Sequence, residues 1–595
     1  AFPFFRLSRS LKISRMSSKT TLADQLKSAP DRVDLREFAG GMPQESATLP
    51  QIRIGQTWWT TPQILKVLVP AGLLATLGSV FLARWLRTLP DIQEFILKFP
   101  GTGDFALPVH DGFPLWLRTA HWLNAFVMMF IIRSGIQILA DHPRLYLDPG
   151  CTPGREWFRL RGPVPKDREW TAKEDSVSLP GWLGLPGIRH SVGLARWWHF
   201  SLDLVWLVNG LVFFALLFST AQWQRIVPVS WTVLPHALST ALQYLSLDFP
   251  PPSGWQQYNG LQMLAYFSAV FIASPLAAIT GILQAPSIAA RLHLATGWFN
   301  RQVARTLHFL VLLFFLAFVA GHVFMVFATD PLTNLNHMIR GMDDASWSGA
   351  LGFALLFFGA AVAWLAASPL TLRYPRKVQH LGRAVVGWAY DAMEKMRPVA
   401  KYSEKDISPY FWVNGTHPRS PEFLRHLSEN FTNYRLSVSG EVEQPAEFSM
   451  EELRAFPRQE QITQNYCIQG WSGIAKWGGV RLADIMNRVR PKPGVKYAVF
   501  YSFGMGSGPD AGPYYDCHKV EHLLHPQTIL AYQMNGQPLT EPHGAPLRLR
   551  NELELGYKQV KWVRAVEFVM DFRHLGAGEG GFNEDQEYYG FRAPI

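Results

Sequence analysis

Five residues of this sequence have the type and setting to bind a redox metal. Four are histidines inside apolar runs: His121 in RTAHWLNAF, His199 in ARWWHFSL, and His308 and His322 in RTLHFLVLLFFLAFVAGHVF. The fifth is Cys467 in NYCIQGWSG, one of only three cysteines in 595 residues. Imidazole suits iron, and a thiolate selects softer metals. An ionisable side chain is costly to keep in hydrocarbon, which makes each histidine a functional candidate. Taken singly, each also fits a hydrogen-bonded core histidine, and Cys467 fits a small buried hydrophobe. Gly470 and Gly473 permit a tight turn that would present the thiol outward.

The elements that hold the histidines read as membrane helices. A bilayer core takes about 20 apolar residues as helix. Six stretches reach about that length, 63–86, 115–139, 197–219, 260–284, 303–327 and 350–368, the first interrupted by Lys66 and Pro70. Trp and Arg flank several of them, as in ARWW and GWFNRQ, which is the composition of a membrane interface. Six spans return both termini to one side. The loop 140–195 on that side holds Arg144, Arg155, Arg159, Arg161, Lys166, Arg168, Lys173 and Arg189, and Arg373, Arg376 and Lys377 follow the last span. On the other side Arg225 stands alone in 220–258 and Arg340 alone in 328–349. The positive-inside rule then puts the basic side, and the C-terminal domain with it, in the cytoplasm.

Direction sets the depth of each histidine. The second span starts on the side opposite the termini, so His121 lies near that face, and His199 opens the third span near the basic face. His308 and His322 are 14 residues apart, close to four turns, so they share one helical face about 21 Å apart along the axis. His308 is then level with His199, and His322 with His121. Each pair suits the two axial imidazoles of a b-type haem. His110, His236, His293 and His337 lie in loops or at span ends and lack a partner at matching depth.

The net charge of +10 does not indicate nucleic acid, because the basic residues mostly flank the apolar runs. Three cysteines cannot build a disulfide framework. The expected organisation is a polar N-terminal extension (1–60, with Met16 a candidate natural start), a transmembrane bundle (61–370), a linker (371–404) and a soluble α+β domain (405–595). In that domain YRLSVSGEV, VKYAVFYSF and VKWVRAVEFVMDF read as strands, and SMEELRAF as a short capped helix. Cys517, His518, His522 and His525 in YDCHKVEHLLH share no helical face with a fourth ligand, so zinc is not expected there.

Two resemblances sharpen these readings. Residues 110–330, with the 14-residue histidine pair and the RxxHW opening at Arg118 to Trp122, resemble the di-haem cytochrome b subunit of membrane formate dehydrogenases and nickel–iron hydrogenases. This implies two b haems and exchange of electrons with membrane quinone. Residues 405–595, through LSVSGEVEQPAEFSMEELRAFP, YCIQGWSG, ILAYQMNGQPLTEPHGAPLRL and GYKQVKWVRAVEF, resemble the molybdopterin domain of the sulfite-oxidase family. That family includes a bacterial protein-methionine-sulfoxide reductase.

The second resemblance implies that Cys467 is the single protein thiolate on molybdenum, beside the dithiolene of one pterin. Asn414 and His417 in FWVNGTHP resemble the family's Asn–His loop. His543 and Arg548 in HGAPLRL resemble the residues that hold the pterin and its phosphate, and Lys561 in VKW resembles the phosphate-side lysine. Two departures bear on the substrate: no arginine follows the cysteine closely, as it does in sulfite oxidases, and Gln469 stands where the sulfoxide reductases carry an acid. Gln469 is therefore a candidate catalytic residue beside Cys467. The expected activity is oxygen-atom transfer on a sulfoxide- or sulfite-type substrate, small or protein-bound, with electrons exchanged with the quinone pool. The alternatives are a sulfite dehydrogenase, or an electron conduit whose soluble domain only binds a partner. Oligomeric state is left open, with a homodimer among the options.

Overall fold

The computed structural model describes residues 22, 23, 26, 49–107, 109–110, 112–249, 254–292, 297–394, 402–506 and 512–592. The expected extension lies largely outside them, as do Met16 and His293. Among the described residues six helices are long and apolar enough to cross a membrane: α1 (Thr61–Leu86), α2 (Leu115–Asp141), α3 (Ser191–Ser219), α4 (Gly260–Ile282), α5 (Arg301–Ala328) and α6 (Trp347–Arg373). Helix α5 is started by Asn300, whose side chain accepts from the amides of Gln302 (2.8 Å) and Val303 (3.2 Å). Helix α4 widens to a π-helix at Ser268–Ala273, just before Pro275, which has no N–H to continue the α ladder. Helix α3 packs along α2, and α5 along α4. Large apolar side chains such as Leu211, Phe324 and Phe358 remain exposed on the bundle, as a lipid-facing surface requires.

The segment expected as a linker begins with the last turn of α6 and then forms α7 (Pro375–Glu394). This helix buries Gln379, Gly382 and Val386 against the start of α3. Gly382 is required there, because a Cβ would stand 2.7 Å from the Trp197 Cβ. Residues 51–54 and 57–60 form a hairpin that joins Phe158–Arg159 and Arg144–Leu145 in a four-stranded patch.

The soluble domain is α+β. Its strands are β1 (Arg435–Gly440), β2 (Ala446–Ser449), β3 (Arg458–Tyr466), β4 (Ser472–Arg481), β5 (Tyr497–Met505), β6 (Pro513–Lys519), β7 (Ile529–Met534), β8 (Gln537–Pro538), β9 (Arg548–Arg550) and β10 (Val563–Val569). One sheet has the order β6-β5-β10-β1-β2, with β10 and β1 parallel and the other pairs antiparallel. The second runs β8-β7-β4-β3, with β9 also on β7. The short helix expected from SMEELRAF is present at Met450–Ala455, capped by Ser449, whose hydroxyl accepts from the Glu452 amide at 3.1 Å. A core of Leu436, Val480, Ile485, Phe500, Leu549 and Phe568 lies under these elements.

Candidate functional site

Helices α2 and α5 bring His121 and His322 together with ring centroids 6.3 Å apart. Two metal–imidazole bonds of about 2 Å each, plus the two ring radii, span about that distance, so the pair fits a shared iron. The second pair is prepared by its hydrogen bonds. The Ser134 hydroxyl donates to the carbonyl of Phe130 (2.8 Å) or Ile131 (3.0 Å), which uses its one hydrogen, and its oxygen lies 3.0 Å from His199 Nδ1. Thr280 does the same for His308: its hydroxyl donates to Leu276 O at 2.7 Å and lies 3.0 Å from His308 Nδ1. In both cases Nδ1 is the N–H, which leaves Nε2 with the lone pair a metal needs. Gly135 and Gly281 leave room beside these rings: a Cβ would stand 3.3 Å from His199 Cε1 and 3.5 Å from His308 Cε1. Asp203 Oδ2, 3.6 Å from His199 Nε2, would have to swing aside for iron. His322 Nδ1 lies 3.4 Å from the Tyr266 hydroxyl, whereas His121 Nδ1 has no partner among the described residues.

The other histidines have local partners. His236 Nδ1 accepts from the Gly101 amide at 3.2 Å, and His337 Nε2 is 2.6 Å from Asp343. His518 lies between Asn551 (2.9 Å) and the Lys558 carbonyl (2.9 Å), and His522 is 3.1 Å from Glu394.

Cys467 sits in the hairpin turn between β3 and β4. The turn is closed by Cys467 N donating to Trp471 O and Gly470 N to Cys467 O, each at 3.0 Å. Gly470 has φ +111°, which a side chain rarely tolerates. The thiol is only 5% exposed, and burial pushes it up to about 12, only partly offset by nearby Lys173 and Arg301. A metal that takes this sulfur must therefore displace its proton.

The tip of this turn rests on the membrane domain. Gly470 O accepts from Arg301 Nη1 and Gln302 Nε2, both at 3.1 Å, at the first turn of α5. The Gln469 amide nitrogen donates to Asp141 O (3.2 Å), Ala172 O (3.2 Å) and Ser176 Oγ (3.3 Å). Its oxygen accepts from Asn414 Nδ2 (3.1 Å) and Trp471 Nε1 (3.3 Å). The Gln469 nitrogen thus joins the two domains, while its oxygen stays within the soluble one, where the Cys467 thiol also reaches it at 3.6 Å. Ser472 N donates to Cys151 Sγ at 3.4 Å, and Trp412 Nε1 to Cys151 O at 2.8 Å.

Three of the remaining candidates, the buried Arg548 and the half-buried His543 and Lys561, lie together. Arg548 Nη1 donates to His543 O at 3.3 Å, and Lys561 Nζ donates to Pro542 O at 2.7 Å while lying over the Trp562 ring. Arg548 Nε has no partner among the described residues. Burial and neighbouring Arg550 lower Arg548 to about 9. Burial and Arg548 push Lys561 well below its usual value, and burial with both cations lowers His543 to about 4. Arg548 and Lys561, close together with the neutral His543 beside them, would be relieved by an anion, and this is the donor set a pterin phosphate needs. His417 lies beside the same Trp562 ring, 5.8 Å between centroids, and is 2.8 Å from Glu541 and 2.7 Å from Glu169 of the membrane domain, and Asn414 reaches Gln469.

Comparison with known proteins assigns both halves. Residues 112–341 match the family "Prokaryotic cytochrome b561", and residues 425–574 match "Oxidoreductase molybdopterin binding domain". The subunit YedZ1 from Azospira oryzae is 30% identical over 36% of this chain and 74% of its own length. The chain belongs to the prokaryotic cytochrome b561 family, joined to a molybdopterin oxidoreductase domain. The cytochrome b561 fusion is also similar to the protein-methionine-sulfoxide reductase catalytic subunits MsrP. It is 30% identical to that of Xanthomonas campestris pv. campestris over 28% of this chain and 54% of that one. It is likewise 30% identical to that of Campylobacter jejuni subsp. jejuni over 24% of this chain and 52% of that one. The chain thus spans about half the length of these MsrP relatives. The sulfane dehydrogenase SoxCD from Paracoccus pantotrophus is 25% identical over 24% of this chain and 39% of its own, at a TM-score of 0.21 that carries no argument.

The contacts that dock the fusion's two halves, from Asp141, Ala172, Ser176, Arg301 and Gln302, were not singled out from the sequence. Arg301 and Gln302 carried a signal all the same: two polar side chains inside the first turn of a span need partners outside the lipid.

Proposed function

We propose that this cytochrome b561 fusion is a membrane oxidoreductase that performs oxygen-atom transfer at Cys467 and exchanges electrons with quinone through two haems. The observation that carries this reading is the seat of the Cys467 turn on the helix that holds His308 and His322. Gly470 accepts hydrogen bonds from Arg301 and Gln302, and His308 follows Arg301 by seven residues, about 10 Å along the axis. The thiol, the His199–His308 pair and the His121–His322 pair are then in series from the domain interface to the far membrane face.

Bound at these residues, a molybdenum–pterin supplies two-electron oxygen-atom chemistry and the haems supply one-electron transfer. Cys467 is the protein ligand to molybdenum. His543, Arg548 and Lys561 hold the pterin and its phosphate, with Asn414 and His417 on the loop beside them. Gln469 acts by positioning: it fixes Asn414 and the cysteine turn against the cytochrome half and does not touch substrate. The units are the bundle 61–370 and the domain 405–595, and the basic loops favour a cytoplasmic domain. The names of the MsrP relatives favour a sulfoxide substrate over sulfite.

Metal, pterin and haem analysis of the purified full chain tests the assignment: one molybdenum, one pterin and two haems are expected. Pure, haem-loaded protein without molybdenum refutes it. His308→Ala should remove one haem, and a variant that keeps both contradicts the pairing.

A further inference from the structure

The side of the Cys467 turn that faces the membrane is covered by the loop between α2 and α3. Tyr146, Cys151 and Ala172 of that loop form one buried cluster with Cys467 and Trp471, and all three are 0% exposed. The cover is pinned from two directions. Arg305 donates to the carbonyls of His142 (2.8 Å) and Arg144 (2.9 Å), and Gln469 to those of Asp141 and Ala172 (3.2 Å each). A buried cluster of Arg144 with Asp175 (2.7 Å) and Glu156 (2.8 Å) holds the loop from behind.

His142 and Tyr146 of this cover have buried polar atoms without hydrogen-bond partners among the described residues. These are both ring nitrogens of His142, whose Nδ1 stands 4.0 Å from the buried Asp175 carboxylate, and the hydroxyl of Tyr146. The His142 ring is nevertheless fixed, stacked on Tyr146 at 5.9 Å and edge-on to Trp412 at 5.0 Å, two residues before Asn414. Burial, with Arg305 and Arg144 close by, keeps its imidazole well below the usual range and therefore neutral, with one N–H to donate. A buried polar group left without a partner is costly to keep. Three such atoms next to the cysteine turn mark a place built for a bound oxygen.

We infer that the membrane half completes the substrate site: His142 and Tyr146 donate hydrogen bonds to the oxygen of a small oxo compound, and the pinned cover keeps out a methionine sulfoxide carried on a folded protein. This inference rests on the oxygen-transfer function proposed above. For a sulfoxide the net change is cleavage of S=O with uptake of two electrons, delivered from quinol, and two protons, to give a thioether and water. The donors from His142 and Tyr146 orient the oxygen that leaves as water.

The test uses the purified full chain with dimethyl sulfoxide, free methionine sulfoxide, and a folded protein oxidised at surface methionines. Quinol-driven turnover is measured, with molybdenum and haem content determined on the same preparations. Both small sulfoxides should turn over. On the oxidised protein kcat/KM should fall by roughly a hundredfold or more, because its sulfur cannot reach attacking distance. His142→Ala and Tyr146→Phe should each raise KM for dimethyl sulfoxide roughly three- to tenfold, the worth of one hydrogen bond, with kcat little changed. His142→Gln, which keeps a donor, should restore KM. Equal turnover of the oxidised protein overturns the inference, as does an unmoved KM in both variants with metal and haem intact. Molybdenum-loaded protein that turns over none of the three refutes the oxygen-transfer reading, and this inference falls with it.

Discussion

At the scale of single residues, the histidine pairs are distinguished by what their Nδ1 atoms meet. Ser134 and Thr280 accept from His199 and His308, and such a bond raises the basicity of a metal-bound imidazole. Replacing either hydroxyl, as Ser134→Ala or Thr280→Ala, should therefore raise the midpoint potential of one haem and leave the other unchanged in a redox titration. His543 gives a pH prediction for cofactor-free protein. Its imidazole titrates near 4 in the fold against 6.5 in the unfolded chain, so between those values the unfolded state holds more protons. Stability should fall as pH drops through that window, and His543→Gln should flatten the dependence in thermal melts. The sequence exposed the metal-binding candidates because their type and depth are local properties. It did not expose the role of Gln469, whose partners at Asp141 and Ala172 are about 300 residues away along the chain.

At the scale of elements, α5 is the strut of the molecule: Asn300 starts it, Arg301 and Gln302 grip the cysteine turn, and His308 and His322 follow on the same rod. Arg301→Ala combined with Gln302→Ala removes both bonds to Gly470. Stopped-flow traces should then show slower oxidation of the haems by substrate, at unchanged haem and molybdenum content. The close packing of α3 is a second test. A Cβ on Gly193 would stand 2.3 Å from the Glu587 carbonyl, which is backbone and cannot step aside. Gly193→Ala should lower stability by about 1–3 kcal/mol, seen as a lower Tm. The six spans were legible because hydrocarbon demands long apolar runs. The segment 371–404 was read as a linker because α7 has a mixed polar composition, and its helix is set by packing on α3.

At the scale of the whole molecule, the two halves share a buried interface, and that joint was not legible in the sequence. The loop 140–195 was read for its charge, yet much of that charge is internal: Arg144 is fully buried against Asp175 and Glu156. Arg159, Arg161 and Lys173 are buried as well, so the loop charge free to orient the chain is that of the exposed Arg155, Lys166 and Arg168, which still favours a cytoplasmic domain. Protease added to sealed right-side-out vesicles should leave the domain intact, and cleavage there would reverse the orientation. The central claim is that Cys467 holds the metal through which substrate and haems communicate. It is tested most directly by reducing the purified protein with quinol, adding dimethyl sulfoxide and following the haem band. The account predicts that both haems reoxidise in the wild type and stay reduced in Cys467→Ala, whose haem spectrum is otherwise unchanged. Reoxidation at the wild-type rate in Cys467→Ala would contradict it.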